Sequence, residues 1–201
     1  MVLPYLEQQN IYALINYQFA GDCFTFGASC TAATDPGNKV VPVDICPSDP
    51  LGGSIWDTGY LASGRHAVTE YLGVMGKTAT ANDGVFYSNS SIGLAHLTDG
   101  TSNTFMMGER GIPTDLYWGW TYCGAGITGL GDGDNQLATD LPFAKGKNDG
   151  THNLHFWSYH PGGGSFLLGD ASTRYVSYNI NFNTFQALST RGGGEVVDLN
   201  D

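Results

Sequence analysis

Apolar side chains recur at helical spacing near the start of the chain, between residues 3 and 18. They stand at Leu3, Leu6, Ile11, Leu14 and Ile15. Steps of three and four residues place such positions on one face of a helix, and Pro4 is compatible with a first helical turn. The pattern predicts one amphipathic N-terminal helix that packs on a sheet.

Shorter segments with a different pattern follow in the middle of the chain. Aromatic, β-branched and Met residues lie between turn-forming residues in four successive segments, at 69–76, 84–90, 103–110 and 116–124. Such segments are typical of antiparallel strands and not of alternating strand and helix units. The stretches 21–50 and 124–153 contain many turn-forming residues, which predicts long loops.

The stretch "HPGGGSFLLGDASTRYV", residues 160–176, contains three consecutive glycines. A phosphate-binding loop needs a strand before its glycines and a helix after them. Here the segment after the glycines is too short and too rich in strand-forming residues. The sequence therefore predicts a hairpin with strands at 165–169 and 173–178 and with Asp170 and Ser172 in the turn.

A second helix is predicted directly after this hairpin. Asn181 or Asn183 is suited to cap its N-terminus, and Phe182, Phe185 and Leu188 share one face. The residues from Glu195 onward are expected to return as an edge strand.

Composition favours one loop-rich domain spanning residues 1–201. Charged residues make up only 13% of the 201 residues and Gly occurs 29 times, a balance that suits a loop-rich, mostly β protein. The net charge of −11 argues against nucleic acid as a partner, because backbone binding needs clustered Lys and Arg. No run approaches the roughly 18 apolar residues that a membrane span requires.

The four cysteines lack the C-x-x-C spacing of zinc ribbons and redox motifs. They are Cys23, Cys30, Cys46 and Cys123. An even number in an acidic chain favours two disulfides, with Cys23 joined to Cys30 and Cys46 joined to Cys123 as the preferred pairing. Other pairings, and four free thiols in a reducing compartment, stay open.

Calcium is the metal that the sequence favours. Asp132, Asp134 and Asn135 lie on the glycine-rich loop "GLGDGDNQ", where alternate oxygen-bearing side chains are able to converge on one cation. An EF-hand is excluded because its twelfth position, counted from Asp132, is Phe143 instead of a glutamate. The alternative is a solvated acidic turn.

Catalytic and transition-metal sites receive weaker support. His152, His155 and His160 fall within nine residues, but they have neither the HxH nor the HxxxH spacing of metal ligands. No G-x-S-x-G elbow is present. If the chain is an enzyme, the candidates are the carboxylates Glu70, Glu109 and Asp170 together with His160, acting as a glycoside hydrolase would.

Tryptophans provide a candidate sugar-binding platform. Trp118 and Trp120 lie two residues apart, so they would share one face of a strand, and Trp157 is the third candidate. The alternative is that these rings fill the core, and that Glu109 forms a structural ion pair with Arg110 or Arg174.

Five blocks, in order along the chain, resemble the DUF1559 family. They are "LPYLEQQNIYALINY", "CPSDP" (46–50), "TDGTSNTFMMGER" (98–110), "HPGGGSFLLGDASTRYV" and "TFQALSTRGGGEVV" (184–197). The family is abundant in planctomycetes and carries the label of bacterial extracellular solute-binding family 10. One departure is Ala171, which stands where the family has a turn glycine, so the resemblance leaves the type of the hairpin turn open.

The resemblance implies a pilin-like α+β domain displayed outside the cytoplasmic membrane. Family members typically begin with a prepilin-like segment, a cleavage site followed by a long apolar helix. The sequence starts without such a segment and without an export signal, so we expect a truncated natural variant, a gene fragment or a form trimmed for solubility.

The expected function is that of a non-enzymatic, pseudopilin-like subunit associated with the surface or with secretion. Its expected partners are other surface or pseudopilus components, and a ligand or Ca²⁺ is what it would bind. No other cofactor is expected. The alternative is a carbohydrate-active protein that binds or hydrolyses glycans with a carboxylate pair and a Trp platform.

Overall fold

The structure, a computed structural model, describes residues 3–15, 33–57, 65–119, 121, 127, 132–147, 149–195 and 197. The strands within these ranges are β1 (Ile55–Asp57), β2 (Arg65–Ala67), β3 (Tyr71–Val74), β4 (Phe105–Glu109), β5 (Gln136–Leu137), β6 (Gly163–Leu168) and β7 (Thr173–Ser177). The α-helices are α1 (Gln9–Tyr12) and α2 (Phe182–Ala187), and short 3₁₀ helices span Leu3–Leu6, Pro36–Asn38, Pro42–Asp44, Leu94–His96 and Thr101–Asn103. The α+β class is confirmed.

The strands form two sheets. β1 and β2 make an antiparallel pair, and the larger sheet has the order β5-β3-β4-β6-β7. Three neighbouring pairs of the larger sheet are antiparallel, whereas β5 runs parallel to β3. The sheet is therefore mixed, and the expectation of a purely antiparallel sheet is wrong at this edge.

The hairpin predicted from the three glycines is confirmed. β6 and β7 pair from Gly163 opposite Ser177 to Leu167 opposite Thr173. In the turn, Asp170 Oδ1 accepts hydrogen bonds from the backbone N–H and the hydroxyl of Ser172. Ala171 has a φ of +65°, the left-handed conformation that glycine adopts most readily.

The core lies where this hairpin, β3 and β4 meet α2. Asn181 caps α2 through its side-chain oxygen, as predicted, and Phe185 and Leu188 are fully buried. The buried members of the core are Leu72, Val74, Phe105, Leu137, Phe143, Phe156, Phe166, Leu168, Val176, Phe185 and Leu188. The rings of Phe105 and Phe166 are 4.5 Å apart at their centroids, so aromatic packing joins β4 to β6.

The predicted single helix at residues 3–18 is wrong. A 3₁₀ turn over Leu3–Leu6 is separated from α1 by Glu7, whose φ is +58°. Because a left-handed residue cannot continue a right-handed helix, the apolar stripe is split into two short pieces. Leu3, Ile11, Tyr71 and Met107 are among the residues that line one groove of about 520 Å³.

Within the described residues, two of the four predicted segments do not form strands. Residues 69–76 and 103–110 contain β3 and β4, as expected. Residues 84–90 instead run beside the end of β3, where Val85 and Phe86 both donate to the carbonyl of Val74. Residues 116–119 form a turn with positive φ at Leu116 (57°), Trp118 (65°) and Gly119 (80°), so this part of 116–124 is not extended.

Other predictions for the loops have mixed outcomes. Within the predicted loop 21–50, the described residues contain the 3₁₀ helices Pro36–Asn38 and Pro42–Asp44. Glu195 and Val197 are not in a strand, and the remaining residues of the C-terminal tail lie outside the described part of the chain.

Candidate functional site

Four chain segments bring Cys46, Glu70, Glu109 and His160 together, and we call these four residues the polar cluster. Cys46 follows the 3₁₀ helix Pro42–Asp44, Glu70 precedes β3, Glu109 ends β4 and His160 precedes β6. Antiparallel pairing places Tyr71 opposite Glu109, so the start of β3 lies beside the end of β4. The start of β6 reaches the same edge of the sheet because β6 is also antiparallel to β4.

Three side-chain atoms of the polar cluster converge. His160 Nε2 lies 3.3 Å from Glu109 Oε1 and 3.5 Å from Cys46 Sγ. These three atoms all lie within 4.8 Å of one another. In the described part of the chain this is the one group of three Cys, His or acidic residues with metal-ligand proximity.

The same geometry does not form a Cys–His–acid catalytic triad. In such a triad one ring nitrogen of the histidine faces the nucleophile and the other is held by the orienting group. Here the thiol and the carboxylate both approach Nε2. The arrangement suits a shared proton or a shared cation better than a nucleophilic thiol.

Hydrogen bonds from the backbone hold the polar cluster in place. Glu109 Oε2 accepts from Ser165 N at 2.6 Å, and the Glu70 carboxylate accepts from Cys46 N. His160 N donates to Ser158 Oγ at 3.0 Å. The Glu109 side chain and the backbones of Cys46 and His160 are therefore tied to neighbouring segments.

Burial makes the polar cluster electrostatically unusual. Cys46, Glu70 and Glu109 are 5%, 1% and 2% exposed. Desolvation raises the pKa of the Cys46 thiol and raises the pKa of Glu70 to about 8, with the charges of Asp49 and Glu109 adding to this shift against the hydrogen bond from Cys46. A buried carboxyl group without a cation is costly to ionise.

A buried cation, Arg110, lies next to Glu109 in the chain and donates a hydrogen bond to a neighbouring loop. Arg110 follows Glu109 directly and is fully buried, and desolvation lowers its pKa to about 10. Its Nη2 donates to the carbonyl of Trp118 at 2.9 Å, and the negative charges of Asp134, Asp115 and Asp49 oppose the shift. The Arg110 guanidinium therefore binds the loop at 115–119 and also lies within electrostatic range of Asp49.

The structure unites three of the four residues proposed for catalysis. Glu70, Glu109 and His160 belong to the polar cluster, whereas Asp170 lies in the exposed turn at the far end of the β6–β7 hairpin. The predicted carboxylate pair therefore contains Glu70 and Glu109 only. Glu109 pairs with His160, not with Arg110 or Arg174 as the alternative held.

Cys46 is the member of the cluster that sequence reasoning misplaced. It carries a free thiol, so the predicted disulfide from Cys46 to Cys123 is wrong. Cys23, Cys30 and Cys123 lie outside the described residues, and so does the predicted bridge between the first two.

The three neighbouring histidines do not act as one group. His152 Nε2 is 3.4 Å from Asp115 and His155 Nε2 is 2.9 Å from Asp149, while His160 faces Glu109. The spacing within 152–160 concerns neighbours in sequence only, whereas the polar cluster is assembled from distant segments.

The proposed calcium ligands lie on a loop beside β3. Asp134 is fully buried and the backbone carbonyl of Asn135 accepts from Gly73 N. Asp132 is also buried, and its backbone forms an isolated parallel β-bridge with Gln136. Arg110 supplies positive charge close to Asp134. Calcium binding by this loop stays a prediction.

Of the three tryptophans proposed for ligand binding, only Trp118 lies near the surface among described residues. Trp157 is 1% exposed and donates its Nε1 to the carbonyl of His152, so it offers no face to a ligand. Trp120 lies outside the described residues. The platform as predicted is therefore wrong for Trp157.

A different set of rings surrounds Trp118. The Tyr117 ring lies 4.9 Å from the Trp118 ring and 5.9 Å from that of Trp56. Tyr117 is 43% exposed, whereas Trp56 and Trp118 are half-buried. We call Trp56, Tyr117 and Trp118 the aromatic patch. The left-handed turn at 116–119 produces this arrangement, which strand periodicity could not predict.

A family model described as a protein of unknown function (DUF1559), SBP_bac_10, matches residues 1–183. The chain belongs to the DUF1559 family. Three of the blocks on which the resemblance rests each contribute one of the converging residues of this DUF1559 domain: Cys46, Glu109 and His160. No curated protein and no solved structure matches the chain.

The helices of this DUF1559 domain bear on whether the chain contains a membrane span. Among the residues that the structure describes, none of the helices has the length and apolar character needed to cross a bilayer.

Proposed function

We propose that this DUF1559 domain is a non-enzymatic subunit of a surface or secretion-associated assembly, located outside the cytoplasm like a pseudopilin. The aromatic patch is its contact surface for another component of that assembly. The observation that carries this proposal is the 43% exposure of Tyr117 beside two half-buried tryptophan rings.

The chemistry of the patch favours a binding role. Tyr and Trp are enriched at protein interfaces because they provide large rigid contact areas and a polar group. Backbone strain supports the same interpretation, since Leu116 and Trp118 both have positive φ and such residues cluster at binding sites.

The burial of the carboxylates supports the non-enzymatic part of the proposal. A glycosidase needs two carboxyl groups that face the substrate and an attacking water. Glu70 and Glu109 are almost inaccessible, and Asp170 is far from both along the hairpin. Glycan binding without hydrolysis remains the second candidate, because aromatic rings at a surface also suit the face of a sugar.

Photo-cross-linking in intact cells tests the contact surface. We would replace Tyr117 by p-benzoylphenylalanine in the full-length protein and analyse the sheared surface fraction. We expect a discrete cross-linked product that contains another subunit of a surface assembly. The matched control places the same group at Tyr175, which is 58% exposed on β7.

Three results would contradict the proposal. They are no product from position 117, the same products from positions 117 and 175, or turnover of glycosides by the purified protein that Glu70→Gln, Glu109→Gln or Asp170→Asn abolishes. Retention of the protein on a polysaccharide, lost in Tyr117→Ala, would establish the glycan alternative instead.

A further inference from the structure

Two of the three separations among the converging donor atoms match those around a tetrahedral metal ion. Zinc binds sulfur at about 2.3 Å and nitrogen or oxygen at about 2.0–2.2 Å. With tetrahedral angles, these lengths place a sulfur about 3.5 Å from a nitrogen, and a nitrogen about 3.4 Å from an oxygen. The observed separations are 3.5 Å from Cys46 Sγ to His160 Nε2 and 3.3 Å from that nitrogen to Glu109 Oε1.

A proton or a cation accounts for this convergence, and the two differ in how many atoms they join. A neutral imidazole carries a hydrogen on only one of its nitrogens, and a single N–H points at one acceptor. Here a thiol sulfur and a carboxylate oxygen approach the same ring nitrogen, and a protonated thiol is itself a weak donor. A cation between the three atoms would satisfy all of them at once.

The charge around the three atoms also favours a cation. Cys46 lies within electrostatic range of Glu70 and Glu109, and Glu70 lies within range of Asp49. The guanidinium of Arg110 is engaged with Trp118. Three carboxyl groups and a thiol therefore share a buried region, and the charge of Arg110 reaches Asp49 but not Glu70 in the electrostatics of the described residues.

We propose that Cys46, Glu109 and His160 bind one transition-metal ion of the Zn²⁺ type. A sulfur, nitrogen and oxygen donor set excludes Ca²⁺ and Mg²⁺, which take oxygen ligands. Three protein ligands leave a fourth position for water or an outside ligand, and the side chain of His160, 28% exposed, places the site near solvent. This inference goes beyond the proposed function and does not depend on it.

The surrounding hydrogen bonds are those that a metal site needs. Outer contacts orient metal ligands, and their loss typically lowers metal affinity about 10–100-fold. Ser165 N fixes the Glu109 carboxylate and Ser158 Oγ accepts from the backbone of His160. The Glu70 carboxylate accepts a hydrogen bond from Cys46 N. Glu70 is therefore a positioning residue, and a substitution of it keeps all three proposed metal ligands.

Cobalt substitution tests the proposal directly. The full chain would be purified with reductant and chelator, freed of chelator, and titrated with Co²⁺ and then with Zn²⁺. We expect about one Co²⁺ per chain, the visible bands of a tetrahedral ion, a near-ultraviolet charge-transfer band from a thiolate, and displacement by Zn²⁺.

A matched set of cysteine variants assigns the thiolate. The triple variant Cys23→Ser, Cys30→Ser, Cys123→Ser keeps Cys46 as the sole thiol and should retain the charge-transfer band. The single variant Cys46→Ser should lose it and should bind Zn²⁺ more than about 100-fold more weakly. Glu70→Gln should keep the band while weakening Zn²⁺ binding by about tenfold.

The decisive comparison survives a folding failure of Cys46→Ser, because the wild-type chain and the triple variant are read independently. No charge-transfer band in the wild-type chain would overturn the proposal. A band in the wild-type chain that is lost in a folded triple variant would assign the metal to the other cysteines and would also overturn it.

Discussion

The aromatic core and the polar cluster occupy different parts of the same three strands. β4 begins at Phe105 in the core and ends at Glu109 in the polar cluster, and β6 runs in the opposite direction from the loop of His160 to Leu168. The core residues are apolar and mutually supportive, whereas the polar cluster buries a thiol and two carboxyl groups. The core is therefore expected to supply stability, whereas burial of the ionisable groups of the polar cluster is costly.

The largest expected effect is the loss of a core ring. Phe166 is fully buried and packs against Phe105 and Phe185. Phe166→Ala should therefore lower the free energy of unfolding by about 3–5 kcal/mol, measured by denaturant titration. Tyr175→Ala, at an exposed position of β7, should change it by less than about 0.5 kcal/mol. Equal effects of the two changes would contradict the conclusion that the aromatic core supplies stability.

Ionisation within the polar cluster should instead lower stability, so the free energy of unfolding should depend on pH. Burial raises the pKa of Glu70 from 4.5 to about 8. The native state holds this proton more tightly than the unfolded state does, so stability should fall as pH rises from about 5 to about 8. One group contributes at most about 1.4 kcal/mol per pH unit in that window.

The measurement is the free energy of unfolding against pH, with chelator present. Glu70→Gln should remove most of the slope, whereas Glu7→Gln, at an exposed residue outside the cluster, should keep it. Parallel curves for the wild-type chain and Glu70→Gln would show that the buried carboxyl has no such cost.

A smaller effect is expected in the turn that closes the hairpin beside the core. Ala171 has a φ of +65°, and a left-handed conformation costs a residue with a Cβ more than it costs glycine. Ala171→Gly should raise the free energy of unfolding by about 0.5–1 kcal/mol, measured by thermal unfolding. Ala187→Gly, at the end of α2, should instead destabilise the chain. A loss of stability in Ala171→Gly would show that the turn is unstrained.

The predictability of the two regions also differs. Short-range patterns predicted the β6–β7 hairpin, β3, β4 and the cap of α2 at Asn181, because each depends on residues close together in sequence. The prediction of a continuous N-terminal helix was wrong because Glu7 has a positive φ. The prediction of a strand was wrong at residues 116–119 because they form a left-handed turn. In both places a single backbone conformation that side-chain periodicity does not encode decided the outcome.

The polar cluster could be predicted only in part. Glu70, Glu109 and His160 were identified individually as candidates by residue type. Their meeting with Cys46 depends on strand order and register, which join segments separated by up to 114 residues. Counting cysteines in pairs led to a disulfide, since sequence alone does not show which buried group a thiol faces.

The most direct test of the account measures unfolding with and without Zn²⁺. If the polar cluster is a metal site, Zn²⁺ at about 100 times its dissociation constant should stabilise the wild-type chain and the triple cysteine variant by about 2.7 kcal/mol. Cys46→Ser should show almost none of this gain. Identical stability of the wild-type chain with Zn²⁺ and with chelator would contradict the account, and so would an equal gain in Cys46→Ser.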